Sequence, residues 1–153
     1  MIKEVSKKDL KQALDLVNQV FHEFVAIDYS EQGIKSFDDY LKIKYEEVLS
    51  DMKSGHKKMW GYYLDDEVIG IIATRDVSHI ALMFVSKQYH RKGIARQLFE
   101  HVLTEISDNK EITQITVNSS PYAVSAYERL GFIKTDEHQE KDGIIYIPMA
   151  RPV

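Results

Sequence analysis

The stretch FVSKQYHRKGIARQLFEHVL, Phe84–Leu103, decides how this chain is read. It opens as the end of an apolar run, breaks into a basic, glycine-containing turn, and continues without proline or spacer into a helical pattern. Ile94, Leu98, Val102, Leu103 and Ile106 then recur at the spacing of one helix face. A strand therefore feeds a helix across a corner that carries Arg91, Lys92, Gly93 and Arg96. The first N–H groups of a helix have no intrahelical partner, and the aligned peptide dipoles make that end positive. The N–H groups around Arg91 to Arg96 face one point, and the missing side chain at Gly93 lets a phosphate approach the backbone closely. An anion is expected there. The pattern alone equally describes a solvated basic helix start. It is neither a P-loop, since GIARQL lacks the Gly-Lys-Ser/Thr ending, nor a dinucleotide fingerprint, since the second and third glycines are missing.

Outward from this corner the chain alternates periods. Residues 2 to 5 suit a short edge strand, after which Ser6 and Asp9 stand at capping-box spacing before a stripe of Leu10, Leu14, Val17, Phe21 and Phe24. AIDYSEQGIKS interrupts, and Ser36 with Asp39 is expected to cap a second helix carrying Phe37, Leu41, Tyr45, Val48 and Met52 on one face. KMWGYYL and VIGIIATR flank the polar break Asp65-Asp66-Glu67 and read as a hairpin, and SHIALMFV follows a turn at Asp76. ITQITVN is again a strand. Ser120-Pro121 starts a short helix that ends at Leu130 with Gly131 as its C′ residue. The C-terminal segment is a strand pair turned at Asp142-Gly143. The order β, two helices, three strands, helix, strand, helix, two strands predicts an α/β (α+β) fold. Its sheet is mixed and largely antiparallel, of about seven strands with about four helices packed around it.

Composition narrows the function. With 153 residues, 44% hydrophobic and 29% charged, the chain reads as one globular domain, 1–153, with room for a core and a small pocket. A net charge of −4 argues against nucleic acid as the main partner. Cysteine is absent, which excludes a disulfide framework, a thiol nucleophile and thiolate metal ligation. No apolar run approaches the length of a membrane span, and the N-terminus lacks an apolar secretory core. The expectation is a cytoplasmic protein, monomer or homodimer, with no membrane partner. His22, His56 and His101 lack metal-ligand spacing, and no metal is expected.

His90-Arg91-Lys92-Gly93-Ile94-Ala95 resembles the Gln/Arg-x-x-Gly-x-Gly/Ala signature of the GNAT superfamily of acetyl-CoA-dependent N-acetyltransferases, with His90 standing where Gln or Arg is usual. A second segment, VNSSPYAVSAYERLGFIKT from Val117 to Thr135, is similar to the family's later motif: an Asn ends a strand, and Tyr-Glu-x-Leu-Gly-Phe closes the following helix. The element order agrees with that fold over essentially the whole chain. The resemblance implies acetyl-CoA as cosubstrate, its pyrophosphate held by backbone N–H groups from Arg91 to Arg96. It implies that the third middle strand and the strand ending at Asn118 splay apart around the pantetheine arm, which bonds exposed backbone near Phe84 and Val85 and also contacts Asn118. Tyr127 matches the tyrosine aimed at the cofactor sulfur.

The chemistry so implied is acetyl transfer to a primary amine by direct attack in a ternary complex. A strand N–H near Val85 would stabilise the oxyanion, and Tyr127 would donate to the leaving sulfur. The reaction also needs a proton acceptor. His79 begins the strand beside the slot, and simple alternation places it on one face with Ala81, Met83 and Val85. The competing reading of His79 is a ring satisfied by a turn carbonyl, and His138 and Glu137 are further candidates. Phe24, Asp28, Tyr29 and Glu31, near Glu23, offer aromatic walls and carboxylates that suit a cationic acceptor, a small molecule or a peptide amine. The alternative function is a non-catalytic acyl-CoA-binding sensor or assembly subunit.

Overall fold

The computed structural model describes residues 1–43 and 45–153, leaving aside the side chains of Lys42, Ile43 and Glu46. Among the described residues eight strands and five α-helices follow in the order β1 (Ile2–Glu4), α1 (Leu10–Val20), α2 (Glu31–Ile43), α3 (Tyr45–Ser54), β2 (Lys57–Leu64), β3 (Glu67–Arg75), β4 (His79–Val85), α4 (Ile94–Ile106), β5 (Gln114–Ser119), α5 (Val124–Arg129), β6 (Ile133–Lys134), β7 (Gln139–Lys141) and β8 (Ile144–Pro152). The sheet runs β1-β2-β3-β4-β5-β8-β6, with β7 paired to β8. All neighbours are antiparallel except β4 and β5.

Each face of the sheet buries one helical layer. Leu10, Leu14 and Val17 of α1 pack with Met59, Tyr63, Ile71 and Ala73. Leu98, Phe99 and Val102 of α4 pack on the other face with Trp60, Ile69, Ile72 and Ile80, and Tyr127, Leu130 and Phe132 extend that layer around α5. The helical stripes of the sequence are thus core on both sides. No helix among the described residues is long and apolar enough to cross a membrane.

The local signals around α5 act as their spacing suggests. Ser120 Oγ accepts from the Ala123 N–H at 3.3 Å, with Pro121 at the first position. At the other end Gly131 N–H donates to Glu128 C=O and Phe132 N–H to Tyr127 C=O, the paired closure of a Schellman cap. The turns at Asp65-Asp66 and Asp142-Gly143 have φ of 48°, 66°, 53° and 79°, as two-residue hairpins require.

Two expected caps are corrected. Ser6 Oγ donates to the Asp9 carboxylate at 3.3 Å, so the pair bond each other and cap no backbone amide. The second helix starts at Glu31, five residues before Ser36, with Ser30 as its cap: Gly33 N–H donates to Ser30 Oγ at 3.1 Å. The Ser36 hydroxyl instead reaches across the molecule to Asp142 C=O at 3.1 Å. Gly33 lies in the stretch AIDYSEQGIKS that reads as an interruption, but it stands within α2, where a tertiary contact requires it. A Cβ there would lie 2.1 Å from the Gly143 carbonyl oxygen. Helix α2 and the β7–β8 turn therefore meet backbone to backbone.

Gly33→Ala must push the hairpin off the helix and is expected to cost about 1–3 kcal/mol. Urea unfolding of the variant beside wild type measures it, and an unchanged midpoint would mean that the hairpin yields freely.

Candidate active site

The site begins where two strands stop pairing. Parallel pairing of β4 with β5 covers His79↔Thr116 and Ile80↔Val117, and beyond it β4 continues to Val85 and β5 to Ser119 without further partners between them. On their outer sides both strands stay paired, β4 to β3 and β5 to β8. The result is a wedge, closed at His79 and open toward the basic corner.

A bulge sets which groups face it. Opposite β3 the register runs Thr74↔Ile80 and then Ala73↔Leu82, so Ala81 is an extra residue on β4. Alternation shifts there: Ile80, Met83 and Val85 belong to the α4 layer, whereas Leu82 and Phe84 belong to the α1 layer. The sequence expectation that His79 shares a face with Ala81, Met83 and Val85 is therefore corrected. His79 lies opposite Ile80, on the face of its partner Thr116.

Backbone polarity in the wedge follows from the ladder. Ser86 N–H donates to Ile69 C=O at 2.8 Å. Antiparallel alternation then commits the Phe84 backbone to its partner Ile71 and turns the N–H and C=O groups of Met83 and Val85 toward the gap. Phe84, expected to offer free backbone at the slot, is thus corrected: its groups are committed to β3, and the gap-facing backbone beside Val85 is that of Met83, which the sequence reading missed because the ladder phase is invisible in sequence. The Val85 backbone faces the gap. Its carbonyl accepts from His90 Nε2 at 2.7 Å. A carbonyl can only accept, so Nε2 carries the proton, and the His90 ring ties the strand end to the basic turn.

That turn is built as an anion seat. Arg91 and Gly93 both have positive φ, 63° and 79°. Gln97 N–H donates to Gly93 C=O as the first helical bond, and none of the N–H groups of Arg91, Lys92, Gly93, Ile94, Ala95 and Arg96 has an acceptor among the described residues. Six consecutive donors therefore remain free. The side chains behave differently from one another: Lys92 Nζ sits 5.7 Å over the Tyr89 ring. Arg96 Nη2 donates to Arg129 C=O at 3.0 Å, fastening the start of α4 to the end of α5.

The remaining candidates divide. Tyr127 is 5% exposed and belongs to the same cluster as Val85 of β4 and Val117 of β5. Its hydroxyl has no partner among the described residues, yet none of their unpaired polar side-chain atoms is sealed from solvent, so the hydroxyl meets an opening. Burial pushes its pKa above the ordinary phenol range. Asn118 is exposed on β5, on the face of Thr116. His79 Nδ1 lies 2.8 Å from Thr116 Oγ1. Burial and the Arg75 guanidinium lower its pKa, against a smaller opposing pull from Asp76. It is not satisfied by a turn carbonyl.

Beside the mouth of the wedge α1 widens into one π-turn, Phe21–Val25. This turn carries Phe24 to a position 4.9 Å from the His90 ring and 5.3 Å, stacked, from Tyr122. One aromatic side chain thus spans the mouth of the wedge, and Tyr122 is a second residue that sequence reading missed. Tyr29 packs edge-on against Phe21 at 5.2 Å, and Asp28 and Glu31 are exposed on the surface. Glu137 and His138 lie in the segment between β6 and β7. They are exposed on the rim of an open groove formed with Pro121, Val124, Ile145 and Ile147. His22, His56 and His101 pair with Asp38, Asp76 and Glu105.

An acetyltransferase (GNAT) domain model matches residues 25–152, a span that contains the wedge, both of its walls and the anion seat. The chain belongs to the GNAT acetyltransferase family. A GCN5-related N-acetyltransferase from Rhodopseudomonas palustris superposes with a TM-score of 0.79 at 15% identity, covering 100% of this chain and 95% of that one. The PaiA N-acetyltransferase from Thermoplasma acidophilum, in complex with coenzyme A, gives 0.75 at 20% identity, covering 100% and 98%. At these identities the likeness establishes the GNAT fold. UPF0157 protein YqkA of Bacillus subtilis (strain 168) is 28% identical over 103 residues, 65% of this chain, and the chain spans about 30% of the length of that curated relative.

Arg91 occupies a left-handed conformation that costs a residue with a Cβ about 1 kcal/mol. Arg91→Gly is expected to raise the melting temperature by about 2–4 °C. The same change removes a cation from the seat and should weaken binding of inorganic pyrophosphate, measured by calorimetry. Lower stability with unchanged binding would contradict both halves.

Proposed function

We propose that this protein transfers the acetyl group of acetyl-CoA to a primary amine by direct attack in a ternary complex. The observation that carries the reading is the continuity of the wedge with the six free N–H groups of Arg91 to Arg96. A diphosphate suits those donors, and an extended thioester arm suits an unpaired strand edge that offers alternating N–H and C=O groups. The coenzyme A in the Thermoplasma relative supports the same cosubstrate here. Cofactor contacts are assigned to Met83 and Val85 by their gap-facing backbone, to Arg91, Lys92, Gly93, Ile94, Ala95 and Arg96 at the turn, and to Asn118 on β5.

The chemistry sets three requirements. An alkylammonium of pKa about 10.4 gives up its proton at pH 7 at a cost of about 4.6 kcal/mol, so a base or a water path is needed. The amine nitrogen then attacks the thioester carbon, and charge grows on the carbonyl oxygen near the N–H groups of Met83 and Val85, fixed donors in a partly dry site. As the C–S bond breaks, the thiolate needs a donor, which is the role given to Tyr127. At reference values, full transfer from a phenol to a thiolate of pKa about 8.5 is uphill by about 2 kcal/mol. Burial of Tyr127 makes it more so. Tyr127 therefore stabilises the sulfur through a hydrogen bond and keeps its proton.

For the acceptor, the carboxylates Asp28 and Glu31 beside Phe24 and Tyr29 favour a cationic amine, such as a polyamine, an amino sugar or a peptide amine. Replacing both by Asn and Gln should raise acceptor KM severalfold with kcat little changed, and an unchanged KM removes this preference.

A thermal melt with acetyl-CoA, CoA and ATP at matched concentration tests the cosubstrate. At about 100 times Kd the native state gains about 2.7 kcal/mol, so both CoA species should raise the midpoint well beyond ATP. Tyr127→Phe should then lower turnover at least tenfold while the CoA shift persists. Binding without turnover in wild type would favour a non-catalytic acyl-CoA binder, and no shift at millimolar ligand would reject the reading.

A further inference from the structure

We propose that Thr116 is a positioning residue for the proton acceptor of the reaction: its hydroxyl oxygen accepts from His79 Nδ1–H and so leaves the lone pair of His79 Nε2 free to receive a proton. The inference rests on the acetyl-transfer reading above and adds to it the identity and the tautomer of the base.

Three observations carry it. The Nδ1 to Oγ1 distance is 2.8 Å, and His79 makes no other hydrogen bond among the described residues, so Nε2 is unengaged. The two residues are register partners in the last-paired segment of β4 and β5, which holds their side chains on one face at the apex of the wedge. Asn118 projects on that same face of β5, two residues nearer the mouth. A half-buried His, a hydroxyl and an amide thus form a polar file on the side of the sheet where α1 and α2 lie.

The length of the file fixes how it works. His79 and Met83 are four residues apart on an extended strand, roughly 13 Å. The imidazole is too far from an amine attacking a thioester whose oxygen sits at the Met83 N–H for direct transfer, so the proton crosses by water held between Asn118 and Nε2. The step balances: one proton leaves the ammonium and arrives on Nε2, giving imidazolium and free amine. The C–N bond then forms, the C–S bond breaks, the surplus amine proton goes to the thiolate, and His79 returns its proton to solvent. Thr116 takes no part in bond making. It selects the tautomer in which the free nitrogen is the one that can receive the proton, as a carboxylate does for other catalytic imidazoles.

The test uses Thr116→Val, of the same shape and favourable in a strand, with Thr116→Ser as its conservative counterpart. Turnover is followed as thiol release from acetyl-CoA with spermidine, glucosamine and a lysine-containing peptide. Valine should lower kcat about tenfold or more with CoA affinity unchanged, and serine should restore it to within about threefold. Nitrogen-15 NMR of His79, which needs no acceptor, should show the proton on Nδ1 in wild type and in the serine variant, and on Nε2 in the valine variant. A wild-type ring protonated on Nε2, or a kcat indifferent to valine or to His79→Gln, overturns the proposal. Loss of CoA binding in wild type instead overturns the acetyl-transfer reading, and the role of the file with it.

Discussion

Everything at this site depends on β4 and β5 pairing for two residues and then parting. A parallel pair that continued would spend the N–H and C=O groups of Met83 and Val85 on β5, and the sheet would be closed. The separation is tolerated because each strand keeps its other neighbour, β3 or β8, so each loses only one edge of its ladder. An unpaired edge inside a sheet is costly unless something bonds to it. Part of that cost is met within the protein, since His90 already satisfies the Val85 carbonyl.

The bulge at Ala81 is the companion of the wedge. It rotates the remainder of β4, so that Met83 and Val85 join the α4 layer while Phe84 turns to the aromatic group under α1. One inserted residue thereby separates two environments on one strand. Before it His79, with Thr116, forms a polar apex, and the residues after it present a backbone edge. The π-turn in α1 plays a similar part on the other side, because the extra residue brings Phe24 over the mouth, between His90 and Tyr122.

Charge at the basic corner works through the backbone more than through side chains. Arg96 is occupied with the end of α5 and Lys92 lies over Tyr89. The six N–H groups remain free, held by a turn in which Arg91 and Gly93 are both left-handed. This explains why a histidine can replace the usual Gln or Arg at position 90: its side chain holds a strand carbonyl, and the seat is made by the turn that follows.

Much was legible in the sequence because it is local. Helical stripes, the hairpin turns, the Ser120-Pro121 start and Gly131 end of α5, and the strand-to-helix corner each depend on residues within one or two turns of one another, where propensity and capping act. Ser36 misled for the opposite reason, since the partner of its hydroxyl is Asp142, 106 residues away. Gly33, inside the stretch AIDYSEQGIKS that reads as an interruption, is instead demanded by Gly143. By itself the sequence determined the element order, the sheet class and the presence of an anion-seeking corner. Only the tertiary structure decided where β4 leaves β5, which face His79 takes, which amides stay free and which residue orients the imidazole. Those depend on ladder phase and on a one-residue bulge, and a period-two pattern cannot reveal either until the neighbouring strand is in place.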